Sequence, residues 1–239
     1  MTVDVCLSPA LYPFYHRDGA VVVIVDVFRA TTTIVAAFDN GARSIRPVAT
    51  VREAEACKAE GWLAGAERHV QRCDFADFGN SPFDYRPEKV AGRDIVFTTT
   101  NGTKAIRCAR SAYRILTGAF VNLHAVARHC IALSRDVVVL CSGWEDKINI
   151  EDTLFAGALA ETLLPSGYRP AGDAAQIALS LRKEAKTDLL GYLERTEHLA
   201  RLLANGLYDD ITYCLTPDTS SIVPVYSRRL GVLLPAVHS

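Results

Sequence analysis

The chain lacks most of the features that would class it quickly. Its formal net charge is only −1, from 26 basic and 27 acidic residues. Without a global basic field, a general nucleic-acid role gets no support. No apolar run approaches the ~20 residues that span a bilayer, so no membrane partner is expected. Met1-Thr2-Val3-Asp4 has neither the basic start nor the apolar core of a secretion signal. The seven cysteines are odd in number and scattered, with no C-x-x-C. That usage points to reduced thiols and a cytoplasmic location. The six histidines show no metal-ligand spacing, and only His198 is kept as a candidate, because it lies among other polar groups late in a long helix.

Familiar phosphoryl-transfer loops are missing too. There is no G-x-x-x-x-G-K-[ST] and no G-x-G-x-x-G after a strand. A haloacid-dehalogenase loop needs Asp-x-Asp, but Phe28 stands two places after Asp26. A cysteine-phosphatase loop needs Arg where Cys141 meets Lys147, and Lys lacks the planar bidentate fork. Cys141 is therefore expected to line a pocket or fill the core, and the other cysteines to be core.

What is present is an alternation. Continuous apolar runs such as Val21-Val22-Val23-Ile24-Val25 mark strands covered on both faces. Helical patterns follow at 31–38, 103–112, 122–133 and 150–164, and a Thr50–Glu53 capping box opens another. Strands are expected at 44–48, 62–66, 94–98, 113–117 and 137–141. The order implies an α/β protein with a mostly parallel sheet and helices on both faces. It ends in a helical pair, 173–186 and 189–205, and short strands at 211–214 and 221–226. One domain over 1–239 is expected, with room for a C-terminal subdomain from about 165. The polar stretch 67–87 is expected to be an ordered functional loop.

Ligands of open α/β sheets bind beyond the carboxyl ends of the strands. There, Thr31-Thr32-Thr33 and Thr98-Thr99-Thr100 each lie between a strand and a helix. Helix starts offer free N–H groups and a positive dipole, and Gly102 allows close backbone approach. Arg29, Lys104 and Arg107 lie nearby, which suits a multiply charged anion. The plain alternative is that Thr is a good strand residue and Asn101-Gly102 an ordinary turn. Asp26 interrupts an apolar run, where a carboxylate is costly unless paired or metal-bound. It is either a salt-bridge partner or a metal ligand or catalytic group. Glu151-Asp152 opens another helix, as a dipole partner or as hard oxygen ligands for Mg²⁺ beside a phosphate.

These segments resemble the 2-phosphosulfolactate phosphatases. Val25 to Ile34 resembles that family's D-[VL]-[FL]-R-A-T-T-T-I segment, and 75–82, 98–103 and 118–122 are similar to three others. Cys141-Ser142-Gly143 with Ile150-Glu151-Asp152, Asp210 to Cys214 and Val223-Pro224 extend the resemblance over 4–226. It implies a cytoplasmic, Mg²⁺-dependent hydrolase converting (2R)-2-phospho-3-sulfolactate to 3-sulfolactate and phosphate, a step of coenzyme M biosynthesis. In that scheme Asp26 and Arg29 are catalytic, and Asp26, Glu151 and Asp152 hold the metal. Arg68, Asn80, Ser81, the two Thr triplets, Asn101, Gly102, Thr103 and Lys104 surround a small anionic phosphorylated substrate. The family's His-Gly pair is replaced here by His198-Leu199. A phosphatase of another small acid and a non-catalytic anion-binding protein remain as alternatives. The sequence leaves a homo-oligomer open.

Overall fold

A run of five β-branched residues can bury both faces only if alternate side chains enter different cores. That is how the sheet is built in the computed structural model, which describes residues 1–99 and 101–236. In β2 (Val21–Val25), Val21, Val23 and Val25 enter one core, and Val22 and Ile24 enter the other. In β8 (Val137–Cys141), Val137, Val139 and Cys141 alternate with Val138 and Leu140 in the same way. The first core is covered by the helices Leu123–Leu133, Ile150–Leu163 and Gly172–Ala185. The second is covered by Ala30–Asp39 and Gly102–Cys108.

The other strands are β1 (Thr2–Cys6), β3 (Ser44–Pro47), β4 (Leu63–Arg68), β5 (Gln71–Arg72), β6 (Asp94–Thr98) and β7 (Arg114–Gly118). They are followed by β9 (Arg169–Ala171), β10 (Pro224–Ser227) and β11 (Val232–Pro235). Their order across the sheet is β5-β4-β6-β3-β11-β10-β7-β2-β8-β1-β9. Two parallel blocks, β4-β6-β3 and β7-β2-β8-β1-β9, are joined by the antiparallel hairpin β10–β11. The α/β class with a mostly parallel sheet is therefore as the sequence implies.

The C-terminal third departs from expectation. Ile211–Cys214, expected as a strand, lies in the helix Tyr208–Leu215. Ile211 and Cys214 both bury, and their three-residue spacing is that of a helix face; the β-branched and aromatic composition misleads. The helix expected over 189–205 is two, Leu189–Leu193 and Glu197–Ala204, because Thr196 starts a new one by accepting the Leu199 N–H at 3.3 Å. The expected last strand begins only at Pro224, and β1 and β11 were not expected at all. The loop after β4 is ordered, as expected. Asp77 in it accepts from the Ala64 N–H at 2.8 Å and from Lys58 Nζ at 2.7 Å. Among the described residues no helix is long and apolar enough to cross a membrane.

Candidate active site

Asp26 ends the most apolar strand, and the chain behind it is tied down by the first threonine triplet. Thr31 Oγ1 donates to the Asp26 carbonyl at 2.9 Å and accepts the Asp26 N–H at 3.0 Å. Thr32 Oγ1 donates to the Val27 carbonyl at 3.0 Å, and Thr33 Oγ1 donates to the Asn80 carbonyl at 2.8 Å. All three hydroxyls are buried and spend their protons on backbone. They shape the loop that aims Asp26; they do not line the cleft.

Arg29 is likewise committed. Its Nη1 donates to Asp210 Oδ2 at 2.6 Å, and Ser81 Oγ donates to Asp210 Oδ1 at 2.8 Å. Arg29 and Asp210 are both buried, so the pair lies under the site as a strut.

Asp26 faces a narrow cleft of about 40 Å³, bordered by Glu67, Asn80, Thr99, Asn101 and His198. The segments 26–33 and 98–103 do meet, but not as ends of neighbouring strands. β3, β11, β10 and β7 separate β6 from β2. The helix after β6 instead leans across, with Ala105 and Ile106 in the same core as Val22, Ile24 and Ala30. Its Gly102 lies against Asp26 and Ala30. Thr100, expected in this turn, lies outside the described residues. Thr98 Oγ1 accepts from Arg68 Nη2 at 2.9 Å, so Arg68 braces the turn from behind. Thr103 Oγ1 donates to the Thr99 carbonyl at 3.2 Å. Lys104 Nζ points outward to the exposed Asp146 carboxylate at 2.7 Å.

The acidic pair divides its work. Asp152 Oδ1 accepts the Val27 N–H at 2.9 Å and Oδ2 accepts the Gly143 N–H at 3.0 Å, clamping the loops after β2 and β8 together. Glu151 Oε1 is 2.5 Å from His198 Nδ1. An ionised Glu151 carboxylate can only accept, so Nδ1 is the donor, and Nε2 is the acceptor nitrogen of the neutral ring. Burial, then the charges of Glu151 and Asp26, pushes Asp152 well above the usual carboxylate range. Burial likewise raises Asp26 to about 6; His198 opposes the rise, and Glu151 and Glu67 add to it. Cys141 is fully buried, and burial pushes its thiol well above its ordinary range, which removes it as a thiolate nucleophile.

Among the described residues, three buried polar atoms here have no partner: Asn80 Oδ1, Thr99 Oγ1 and Glu151 Oε2. Two are acceptors, beside the Asp26 and Glu67 carboxylates. This donor set fits a hard divalent cation, which favours carboxylate and amide oxygens. Among the described residues no three His, Cys, Asp or Glu side chains converge as a closed metal cage. Mg²⁺ does not need one; it usually takes one or two carboxylates and completes its shell with water and phosphate.

The sequence did not single out Glu67 as an acid at the cleft, nor Trp144 and Arg201, which border it. Glu67 is the last residue but one of β4, and that position was its only signal. His198 was retained on position alone, and the structure gives it a carboxylate partner. Leu199, where the family pattern has Gly, is fully buried in the first core and away from the cleft, so this departure changes packing.

Residues 6–229 match the family model described as 2-phosphosulpholactate phosphatase. A protein of Gloeobacter violaceus is 41% identical over 239 residues, covering 98% of both chains. One from Thermotoga maritima is 37% identical over 231 residues, 97% of this chain and 98% of its own. One from Caldanaerobacter subterraneus is 39% identical over 207 residues, 85% of this chain and 86% of its own. Each carries the name "Probable 2-phosphosulfolactate phosphatase". A whole-chain match of this kind, on a fold whose strand ends gather Asp26, Glu151 and the 98–103 turn, places the chain in the 2-phosphosulfolactate phosphatase family.

Proposed function

We propose that the chain hydrolyses the phosphate ester of 2-phosphosulfolactate, with Mg²⁺ bound at the Asp26 cleft, as a step of coenzyme M biosynthesis. One observation carries the reading. Asp26 and Glu67 are buried at the border of one cleft, Glu151 and Asp152 are buried close to Asp26, and among the described residues His198 is the one cation paired with any of the four. Like charges this close and this dry are costly unless a cation joins them, and a plain anion-binding protein gains nothing from them. Asp26 and the free oxygens of Asn80 and Glu151 are the groups that would hold the metal. When bound, Mg²⁺ neutralises phosphate charge and polarises the phosphoryl group.

The remaining roles belong to the chain itself. Asp26, once ionised, accepts a hydrogen bond from the attacking water and fixes its direction. Thr99 Oγ1 donates to a phosphate oxygen. His198, held through Nδ1 by Glu151, acts as an acid in its imidazolium form: it gives its Nε2 proton to the departing ester oxygen and is left neutral. The Arg29–Asp210 pair and Asp152 hold these groups in place without touching the substrate.

The test is phosphate release by the purified chain from 2-phosphosulfolactate and a panel of small phosphoesters, with Mg²⁺ or with a chelator. Mg²⁺-dependent release, highest on 2-phosphosulfolactate, is expected. Equal release in chelator would remove the metal from the scheme. No release from any ester would remove the hydrolase reading.

A further inference from the structure

The cleft at Asp26, at about 40 Å³, is far below the ~300–1,000 Å³ of ordinary ligand pockets. A substrate whose phosphate enters it must extend elsewhere. A second chamber of about 260 Å³ adjoins it and shares Trp144, His198 and Arg201 as a common wall. Its other borders include Lys147, Arg195 and Glu197.

The common wall is a built feature. Residues 144–147 form a tight hairpin in which the Trp144 N–H donates to the Lys147 carbonyl at 3.1 Å and the Lys147 N–H to the Trp144 carbonyl at 2.9 Å. Glu145 and Asp146 at its tip both have positive φ, 51° and 63°, the pattern of a type I′ turn. Asn101 Oδ1 accepts the Glu145 N–H at 3.2 Å, Lys104 pairs with Asp146, and Ser8 Oγ donates to the Asp146 carbonyl at 2.8 Å. The hairpin holds the Trp144 ring in place. Arg201, one turn beyond His198 on the same helix, lays its guanidinium 3.9 Å from the ring centroid. Lys147 Nζ lies 5.8 Å from that centroid. Arg195 lies in the turn just before that helix, stacked 4.2 Å over Tyr192.

Among the described residues none of Lys147, Arg195 or Arg201 is paired with a carboxylate. Two acids border the chamber: Glu151, paired with His198, and Glu197, which among the described residues has no ion-pair partner. The cleft is bordered by the acids Asp26 and Glu67, the adjoining chamber by the cations Lys147 and Arg195, and Trp144, His198 and Arg201 stand between them. A phosphate with its metal suits the first, and a free anion suits the second.

Resting on the hydrolase reading above, we propose that this chamber is the site for the sulfonate end of the substrate. Arg201 and Lys147 are its specificity-determining residues, and Arg195 widens its field. The sulfonate reaches one bond further from the ester carbon than the carboxylate does, so it takes the more distant cations. Arg201 is held on the Trp144 face before any ligand arrives, which reduces the ordering cost of gripping a tetrahedral oxyanion.

Binding of 3-sulfolactate, lactate and inorganic phosphate is measured by calorimetry on the wild type, Arg201→Gln and Lys147→Gln. No turnover is needed. The wild type should bind 3-sulfolactate at least ~10-fold more tightly than lactate, a difference of ~1.4 kcal/mol. Each variant should cut that ratio by ~10-fold or more and weaken inorganic phosphate far less. Should one variant fail to fold, the other decides. A wild type that binds the two acids equally, or variants that keep the wild-type ratio, would overturn the subsite. Phosphate release from 2-phosphosulfolactate without sulfonate preference would sink the subsite alone. Selective sulfonate binding without phosphate release would sink the hydrolase reading alone.

Discussion

Gly102 and Asp26 are in contact across the site: a Cβ built on Gly102 would lie 2.9 Å from Asp26 Oδ2 and 2.8 Å from the Cβ of Ala30. Glycine is present because no other residue leaves room for the carboxylate, and no unusual backbone angle is involved. Gly102→Ala must therefore displace either the turn or the carboxylate. Overpacking of this kind costs ~1–3 kcal/mol of stability. A catalytic group moved by ~1 Å can cost ~10²-fold in rate. We expect both losses, read as a lower Tm and a kcat/KM reduced by about two orders of magnitude. A variant with kcat/KM within threefold of wild type would show that the contact does not position Asp26.

How much of this was legible beforehand depends on the kind of signal. Val21–Val25 and Val137–Cys141 were legible because an apolar run bounded by polar residues has few other uses. The Thr50 cap was legible because its partner, Glu53, is local. Thr31 to Thr33 were noticed correctly but given the wrong job. A sequence shows that a hydroxyl is present but not that Val27 or Asn80 has already taken its proton. Arg29 is the same case, since its partner Asp210 is 181 residues away. The wall formed by Trp144 and Arg201 depends on a hairpin and a helix 57 residues apart and left no local mark.

The Arg29–Asp210 pair makes a distinction that kinetics can read. Both partners are buried, and breaking a buried pair costs ~3–5 kcal/mol because one charge is left uncompensated. Arg29→Gln and Asp210→Asn should each lower unfolding stability by about that amount. The double variant should lose less than the sum, because neither charge is then stranded. Denaturant unfolding of the three variants checks this. If Arg29 instead held substrate, Arg29→Gln would raise KM sharply and leave the unfolding midpoint in place.

Asp26 gives the prediction with the most unusual sign. Its carboxyl titrates at about 6 in the folded protein against an ordinary 3.8. The folded state therefore binds this proton more tightly than the unfolded chain does. The resulting stability is present below about pH 4 and is lost as pH rises to about 6, reaching a full penalty on the order of 2–3 kcal/mol above it. Glu67 and Glu151 face the same carboxyl and add to the penalty, and His198 relieves part of it. Asp26→Asn removes the titrating group and keeps the shape. In chelator at pH 8 the variant should melt at a higher temperature than wild type, and the gap should close toward pH 4. Its turnover should fall by ~10²-fold or more, since the group that orients water and holds metal is gone. With Mg²⁺ bound, the cation favours the ionised carboxylate, so wild-type kcat/KM should decline only as pH drops below about 6. A variant that melts lower than wild type at pH 8 while keeping kcat within tenfold would make Asp26 a structural acid. The metal and the water would then have to be held by other groups.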